Sequence, residues 1–173
     1  MNMKHSVAGM MLLALLTGCA SFPEHPVSHQ AATPEARDQV VEIALAQLGQ
    51  PYVYGGSNPG GFDCSGLVHY AYRRAGLEVP RTTSQQYRQA QRVARRNLQP
   101  GDLVFFRLRG SVSHVGLYLG DGEMIHAPST GNDVRIEPID ERFWSNRFAG
   151  GARLLPAGHA SSNGGGGSNW SSW

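Results

Sequence analysis

The chain is poor in the residues that cross-link small secreted domains or bind polyanions. Only two of its 173 residues are cysteines, Cys19 and Cys64, which excludes a framework of several disulfides. Lysine occurs once, at Lys4, and the formal net charge is +2, so we expect no nucleic-acid partner. The sequence has no internal repeat. With 173 residues, of which 16% are charged and 40% hydrophobic, the chain has room for one ordinary globular domain.

The main apolar run, residues 7–16, is shorter than the roughly 20 residues that a membrane-spanning helix needs. It follows Lys4 and leads into Leu16-Thr17-Gly18-Cys19, which resembles a bacterial lipoprotein signal sequence. We therefore expect lipid on Cys19 and cleavage before it; an ordinary signal peptide containing a chance cysteine is the alternative. Ala20, rather than Asp, follows the cysteine, which resembles the outer-membrane sorting pattern of enterobacterial lipoproteins. We therefore expect the periplasmic face of the outer membrane, with the inner membrane as the alternative.

Composition divides the chain into four segments. We expect a signal peptide over residues 1–18, a tether over 19–33, a folded domain over 34–156 and a disordered Gly/Ser-rich tail over 157–173. Trp170 and Trp173 in the tail could stack on sugar rings or have no role, and the sequence leaves both possibilities open.

Within the domain, helical patterns precede strand patterns. Thr33-Pro34 predicts the start of a first helix, which Gly49 ends. A second helix is predicted over residues 63–75, ended by Gly76, and a third over residues 83–93. Five short strands are predicted over residues 103–106, 114–119, 123–127, 134–139 and 148–155. Helices followed by an antiparallel sheet indicate an α+β fold.

Four arginines are grouped at the end of the third predicted helix and beyond it: Arg88, Arg92, Arg95 and Arg96. They could contact anionic polymers of the cell envelope. We favour a solvated helix face, which is the commoner role of such a charge group.

Cys64 is the first candidate for chemistry. With Cys19 lipidated it has no disulfide partner, and an unpaired thiol in an oxidising compartment indicates a reactive group rather than an inert one. If Asp63 caps the second helix, Cys64 lies in its first turn. The positive end of the helix dipole would then lower the thiol pKa, and the backbone N–H groups there could bind an oxyanion.

A thiol nucleophile needs a base, and His114 and His126 lie in consecutive predicted strands. A three-residue loop, Gly120-Asp121-Gly122, with Gly122 in the left-handed region, would place both imidazoles on one face of the sheet. Zinc bound by Cys64 and the two histidines is the alternative. The domain has no close-spaced metal pair such as Cys-x-x-Cys or His-x-x-x-His, so we expect no metal and no cofactor.

A family resemblance covers about residues 36–155. Its motifs, in chain order, are Tyr52-Val53-Tyr54-Gly55-Gly56, Phe62-Asp63-Cys64-Ser65-Gly66-Leu67-Val68, Val79-Pro80-Arg81-Thr82-Thr83, Leu98-Gln99-Pro100-Gly101-Asp102-Leu103-Val104-Phe105-Phe106, His114-Val115-Gly116-Leu117-Tyr118-Leu119-Gly120 and Ile125-His126-Ala127. They resemble the NlpC-type cysteine peptidases. The resemblance implies a papain-like fold, with helices packed on an antiparallel sheet of five to six strands.

The same resemblance implies roles for individual residues. Cys64 would be the nucleophile, His114 the base and His126 the residue that orients it. Tyr52 would lie near the nucleophile and could assist the oxyanion site, although core packing is its alternative role. Asp63 and Ser65 would line the substrate cleft, although capping alone would explain Asp63.

The implied activity is hydrolysis of amide bonds in peptidoglycan stem peptides or their cross-links. We expect the cross-link between D-alanine and meso-diaminopimelate to be cut. The alternatives are the γ-D-glutamyl-diaminopimelate bond, acyl transfer through the same thioester, and a wall-binding lipoprotein without activity. The expected partners are peptidoglycan and, through Cys19, the membrane. We expect a monomer, and a regulatory protein is not identifiable from the sequence.

Overall fold

The structure is a computed structural model that describes residues 34–129 and 132–154. The predicted signal peptide, tether and tail lie outside these residues, as do Cys19 and the predicted helix cap Thr33. The helices are α1 (Pro34–Leu45), α2 (Cys64–Arg74), α3 (Thr83–Gln89) and α4 (Arg142–Ser145), with a 3-10 turn at Arg95–Asn97. None of the helices in these two ranges is long and apolar enough to span a bilayer.

Eight strands accompany the helices. They are β1 (Ser57–Asn58), β2 (Gly61–Phe62), β3 (Gln91–Val93), β4 (Leu103–Leu108), β5 (Ser111–Gly120), β6 (Glu123–His126), β7 (Arg135–Pro138) and β8 (Phe148–Arg153). Strands β1 and β2 form a small hairpin, and the other six form one antiparallel sheet in the order β3-β8-β4-β5-β6-β7. The predicted α+β fold with an antiparallel sheet is confirmed.

The sheet buries side chains on both faces, which follows from the alternation of side chains along a strand. The larger cluster joins helices α1 and α2 to the sheet; its buried members include Val40, Ala44, Leu67, Val68, Ala71, Leu103, Phe105, Leu117 and Ile125. The smaller cluster consists of Val104, Phe106, Met124, Ile139 and Trp144. Helix α4 brings Trp144 to this second face, where the candidate histidines also lie.

A buried carboxylate joins the first helix to the sheet. The Asp102 side chain is 1% exposed and accepts hydrogen bonds from Arg37 of α1 at 3.1 Å and from Arg153 of β8 at 2.8 Å. The buried Tyr72 hydroxyl of α2 donates to the neighbouring Gly101 carbonyl at 2.6 Å. The Pro100-Gly101-Asp102 segment is therefore a junction between the helices and the sheet.

The third helix is shorter than predicted. It ends at Gln89, because Ala90 is extended (ψ 138°) and β3 then pairs with β8. The prediction of a helix to residue 93 is wrong, since long-range strand pairing overrides local helical preference. The four arginines consequently share no helix face: they are divided among α3, β3 and the 3-10 turn. The Arg92 guanidinium lies over the Tyr87 ring, 3.4 Å from its centroid.

Candidate active site

Cys64 is the first residue of α2, as predicted. Asp63 is extended (φ −89°, ψ 172°), and its Oδ1 accepts a hydrogen bond from the Gly66 N–H at 2.6 Å, which caps the helix. Gly76 follows the helix with φ +78°, a conformation that favours glycine. The cap and the glycine fix both ends of the helix and thereby the position of the thiol.

The Cys64 sulfur lies between α2, α3 and β5. It is 3.6 Å from the Thr83 hydroxyl and 3.9 Å from the Ser113 carbonyl, which the thiol can donate to. Within residues 34–129 and 132–154, these two groups are the side-chain and carbonyl hydrogen-bond partners of the Cys64 thiol. The His114 ring is not among them. The thiol is therefore held against the backbone of the strand that carries His114.

The pKa of the Cys64 thiol is raised, whereas the sequence predicts a lowered value. Burial raises the pKa of Cys64, and the negative charge of Asp63 adds a smaller rise. Hydrogen bonds from Thr83 and from the backbone N–H groups of Val115 and Ser65 lower that pKa in part. The prediction of a lowered pKa is wrong, because it considered the helix dipole and not the desolvation of the sulfur. The resting group is a neutral thiol.

The hairpin between β5 and β6 has a shorter loop than predicted. Gly120 pairs with Glu123, so the loop consists of Asp121 and Gly122 alone. Both loop residues have positive φ, 49° and 82°, which is the pattern of a type I′ turn. The positive φ of Gly122 is confirmed, but the three-residue loop is wrong because Asp121 also adopts the left-handed conformation.

A bulge at Leu119 compensates for the shorter loop. Tyr118 pairs with Met124, whereas the next pair toward the turn skips Leu119. Beyond the bulge, the numbers of paired residues again sum to an even total. His114 and His126 therefore share one face of the sheet, as predicted, although a different turn produces this arrangement.

The imidazoles of His114 and His126 are hydrogen-bonded to each other. Nε2 of His114 lies 2.8 Å from Nδ1 of His126, and the residues are 2% and 0% exposed. Burial lowers the pKa of His114 to about 3, and repulsion from His126 when both rings are protonated contributes. Burial likewise lowers the pKa of His126 to about 3, with a contribution from Arg135. Both rings are thus neutral at neutral pH, and His114 can accept a proton.

Two residues without a predicted role complete this cluster. Trp144 stacks on His114, with ring centroids 4.9 Å apart and planes inclined by 20°, and its edge contacts His126. Glu137 of β7 places Oε2 3.2 Å from Nε2 of His126 and accepts a hydrogen bond from the Trp144 indole. Because His126 is neutral, its bond to Glu137 is a hydrogen bond from a neutral ring and not a salt bridge.

Asp63 also anchors the glycine-rich loop that precedes α2. Arg81 donates to both of its carboxylate oxygens, at 2.9 and 2.8 Å, and to the Gly56 carbonyl at 3.0 Å. The Ser65 hydroxyl donates to Asp63 at 3.2 Å, and the Gly55 N–H donates at 3.1 Å. Arg81 belongs to the Val79-Pro80-Arg81-Thr82-Thr83 motif, but no local pattern predicts its pairing with a residue 18 positions away.

Tyr52 lies close enough to Cys64 for the two groups to interact electrostatically. Burial raises the pKa of its phenol, and repulsion from the ionised forms of Cys64, Asp63 and Tyr54 adds smaller rises. It also packs against the larger core cluster. The structure thus brings Tyr52, Asp63 and Ser65 around Cys64, and their roles toward substrate remain predictions.

A zinc ion held by Cys64, His114 and His126 is the alternative use of these side chains. Residues 34–129 and 132–154 contain no group of three or more His, Cys, Asp or Glu side chains arranged to hold a metal ion. The facing nitrogens of His114 and His126 are occupied by their mutual hydrogen bond.

The sequence profile of the NlpC/P60 family matches residues 49–153. The chain belongs to the NlpC/P60 family. The resemblance to NlpC-type peptidases found in the sequence is therefore confirmed. A solved NlpC/P60 family protein from Bacillus cereus superposes with a TM-score of 0.66 at 39% identity, over 69% of this chain and 40% of that one. The NlpC/p60 domain of the peptidoglycan hydrolase SagA gives a TM-score of 0.55 at 35% identity, over 60% of this chain and 89% of that domain.

Two proteins with sequences similar to this chain come from Escherichia coli and Bacillus cereus. The murein DD-endopeptidase MepH of Escherichia coli is 40% identical over 134 residues, covering 74% of this chain and 49% of MepH. The gamma-D-glutamyl-L-lysine dipeptidyl-peptidase of Bacillus cereus is 40% identical over 124 residues, covering 70% of this chain and 37% of that enzyme. The chain thus spans about half the length of these relatives or less.

Proposed function

We propose that this protein is a cysteine peptidase that hydrolyses amide bonds in the peptide part of peptidoglycan. The observation that carries the proposal is the thiol of Cys64, held at a helix N-terminus against the strand that presents the buried His114–His126 pair. Similarity to MepH and to the dipeptidyl-peptidase supports peptidoglycan as the substrate class.

The geometry supports a mechanism through a thioester. His114 takes the thiol proton, and the resulting thiolate attacks the carbonyl carbon of the scissile amide. Backbone N–H groups in the first turn of α2 stabilise the oxyanion, with Tyr52 beside them. The C–N bond then breaks as His114 returns the proton to the leaving amine. Water, deprotonated by His114, hydrolyses the thioester and restores the neutral thiol and imidazole.

The raised pKa of Cys64 and the lowered pKa of His114 favour a neutral pair before substrate binds. Proton transfer then accompanies attack, when the developing negative charge moves from the sulfur to the oxyanion. We expect substrate binding to be independent of thiolate formation. Alkylation by iodoacetamide should be slow in the unliganded protein, because it requires the thiolate.

For the bond that is cut, we propose the cross-link between D-alanine and meso-diaminopimelate. The similarity to MepH supports this bond, whereas the similarity to the Bacillus cereus enzyme favours a γ-D-glutamyl bond. Two defined substrates separate these possibilities: a cross-linked disaccharide-peptide dimer and an uncross-linked monomer with an intact stem. Cleavage of the dimer to two monomers supports the cross-link. Release of a diaminopimelate-containing peptide from the monomer supports the γ-D-glutamyl bond.

We further propose that the domain acts as a monomer tethered by lipid on Cys19 to the periplasmic face of the outer membrane. The signal-like residues 7–16 and the Leu-Thr-Gly-Cys sequence support this location. Palmitate labelling in growing cells should mark the wild-type protein and be lost in Cys19→Ala, which should leave the membrane fraction. Palmitate on the Cys19→Ala protein would contradict the anchor.

Inhibitors test the thiol mechanism against the zinc alternative. A thiol alkylator, given long enough to react, should abolish wall hydrolysis, whereas a strong metal chelator should leave it unchanged. Loss of activity with the chelator and its recovery with zinc would instead support a metal-dependent reaction. A protein that binds sacculi without releasing fragments would support a wall-binding role.

A further inference from the structure

Glu137 lies at the end of a chain of hydrogen bonds that leads to the proposed base. Its Oε2 is 3.2 Å from Nε2 of His126, whose Nδ1 is 2.8 Å from Nε2 of His114. Only Nδ1 of His114 stands outside this chain. The consequence of this chain for catalysis rests on the proposed roles of Cys64 and His114, but the arrangement of hydrogen bonds can be measured without activity.

Each hydrogen bond in the chain has a donor and an acceptor. Glu137, the last residue of the chain, determines which nitrogen donates in each bond. A neutral imidazole carries one N–H and one lone pair, so each histidine donates from one nitrogen and accepts at the other. A carboxylate only accepts. If Glu137 accepts from Nε2–H of His126, then Nδ1 of His126 has a lone pair and accepts from Nε2–H of His114. Nδ1 of His114 is then left with the lone pair that a base requires.

The reverse direction would disable the base. If His126 carried its proton on Nδ1, it would donate to Nε2 of His114. The proton of His114 would then lie on Nδ1, and this nitrogen could not accept the thiol proton. Both directions satisfy the bond between the two rings equally well, so the His114–His126 pair alone does not choose between them. Glu137 supplies the asymmetry.

The surroundings of Glu137 keep it an acceptor. The Trp144 indole, which can only donate, bonds to the same Oε2 that faces His126. Nε of Arg135 lies 3.5 Å from Oε1, the other oxygen. The indole therefore donates to the carboxylate, whereas Arg135, whose Nε makes no hydrogen bond within the described residues, contributes positive charge beside it. The low pKa of His126, a consequence of burial, agrees with a neutral ring that has a single N–H to donate.

We propose that Glu137 is a positioning residue that fixes the tautomers of both histidines and leaves the lone pair of His114 on Nδ1. Once His114 has taken the thiol proton, the negative charge of Glu137 also favours the positive ring through His126. Trp144 serves the same end, since it holds Oε2 while its ring stacks on His114.

Nitrogen NMR of the protein labelled with nitrogen-15 histidine tests the proposal directly. At near-neutral pH the wild-type protein should show His114 and His126 both protonated on Nε2. A proton on Nδ1 of His114 would overturn the proposal. Because this measurement needs neither substrate nor a variant, it stands apart from the hydrolase proposal. The predicted tautomers in a protein that releases no muropeptides would support the role of Glu137 and overturn the proposed activity.

Variants give the functional readout. Glu137→Met removes the acceptor and should shift part of the His126 population to the Nδ1–H form, with kcat lowered about ten-fold or more and KM little changed. Glu137→Gln should restore the tautomers and most of kcat, because its carbonyl oxygen can accept from both His126 and Trp144. Wild-type tautomers in Glu137→Met, or a Gln variant as impaired as the Met variant, would overturn the proposal.

Two controls exclude a merely structural explanation. Glu123→Met changes an exposed glutamate on the neighbouring strand β6 and should leave tautomers and kcat unchanged. Arg135→Gln removes the charged partner of Glu137 but not the acceptor, and should likewise preserve the tautomers. If Arg135→Gln instead reproduced the tautomer shift of Glu137→Met, the role of Glu137 would be to pair with Arg135, and the proposal would fail.

Discussion

The indole of Trp144 and the imidazole of His114 lie nearly parallel, 4.9 Å apart between centroids and inclined by 20°. Phe106 contacts the same imidazole, with centroids 6.1 Å apart. His114 is thus held by aromatic packing as well as by its bond to His126. Because aromatic packing and the hydrogen bond to His126 both restrain this ring, we expect the ring to keep part of its orientation when either one is lost.

This arrangement predicts a hierarchy among the proposed catalytic residues. Cys64→Ala and His114→Ala should each reduce wall hydrolysis to the rate without enzyme, because each removes a group that forms or receives a bond in the reaction. His126→Ala should leave a measurable rate, lowered by roughly 100-fold, since Trp144 still supports the His114 ring. Initial rates of release from dye-labelled sacculi measure all three.

The double variant of Cys64 and His114 provides the control for this hierarchy. Residues that act as a unit are non-additive, so the double variant should be no slower than either single variant. A His126→Ala protein as inactive as Cys64→Ala would contradict the view that His126 only orients the base.

The buried histidines predict that the protein loses stability in mild acid. Both have pKa values of about 3 in the folded protein, against about 6.5 in an unfolded chain. Below about pH 6.5 the unfolded chain therefore binds protons that the folded protein does not. The free energy of unfolding should fall by up to about 1.4 kcal/mol per pH unit for each histidine. Their contribution is intact above the unfolded pKa and is lost as the pH falls toward the folded value.

Urea denaturation at about pH 7 and about pH 5 measures this loss. His126→Asn removes one of the two titrating rings, so its loss of stability between these pH values should be about half that of the wild-type protein. An equal loss in the two proteins would mean that other groups cause the acid sensitivity.

Gly66 predicts a steric requirement at the start of α2. A Cβ atom at this position would lie 1.9 Å from the Gly56 carbonyl oxygen, which is backbone and has little room to move. Gly66→Ala should therefore destabilise the protein by at least about 1–3 kcal/mol and lower activity, because it separates the glycine-rich loop from the helix that carries Cys64. Thermal unfolding with a parallel activity assay tests this. Gly76→Ala at the far end of the helix is the comparison: its cost should come from the positive φ alone, and activity of the folded protein should be unchanged.

Local patterns predicted the parts of the site that local chemistry determines. Asp63 caps α2 and Gly76 ends it because capping and positive φ depend on a few neighbouring residues. The end of α3 could not be predicted in this way, since β3 exists only through its pairing with β8. The raised pKa of Cys64 was missed for a similar reason: the elements that bury the sulfur are distant in sequence.

Glu137 shows the same limit at the site itself. Its strand was predicted, but the connection from β6 to β7 is too long for its length to determine the register of the two strands. Only the observed register, with Met124 opposite Glu137 and His126 opposite Arg135, brings the carboxylate to the histidine. The hairpin of His114 and His126 was within reach of prediction because its loop is short. Even there, the bulge at Leu119 and not the expected loop produces the shared face.

Mass spectrometry of the soluble products released from purified sacculi tests the central claim most directly. Wild-type protein should convert cross-linked muropeptides to uncross-linked ones with a gain of one water per cleaved bond, and Cys64→Ala at the same concentration should leave the cross-linked species intact. Full conversion by Cys64→Ala would contradict the account, because the described domain contains no other cysteine to replace it.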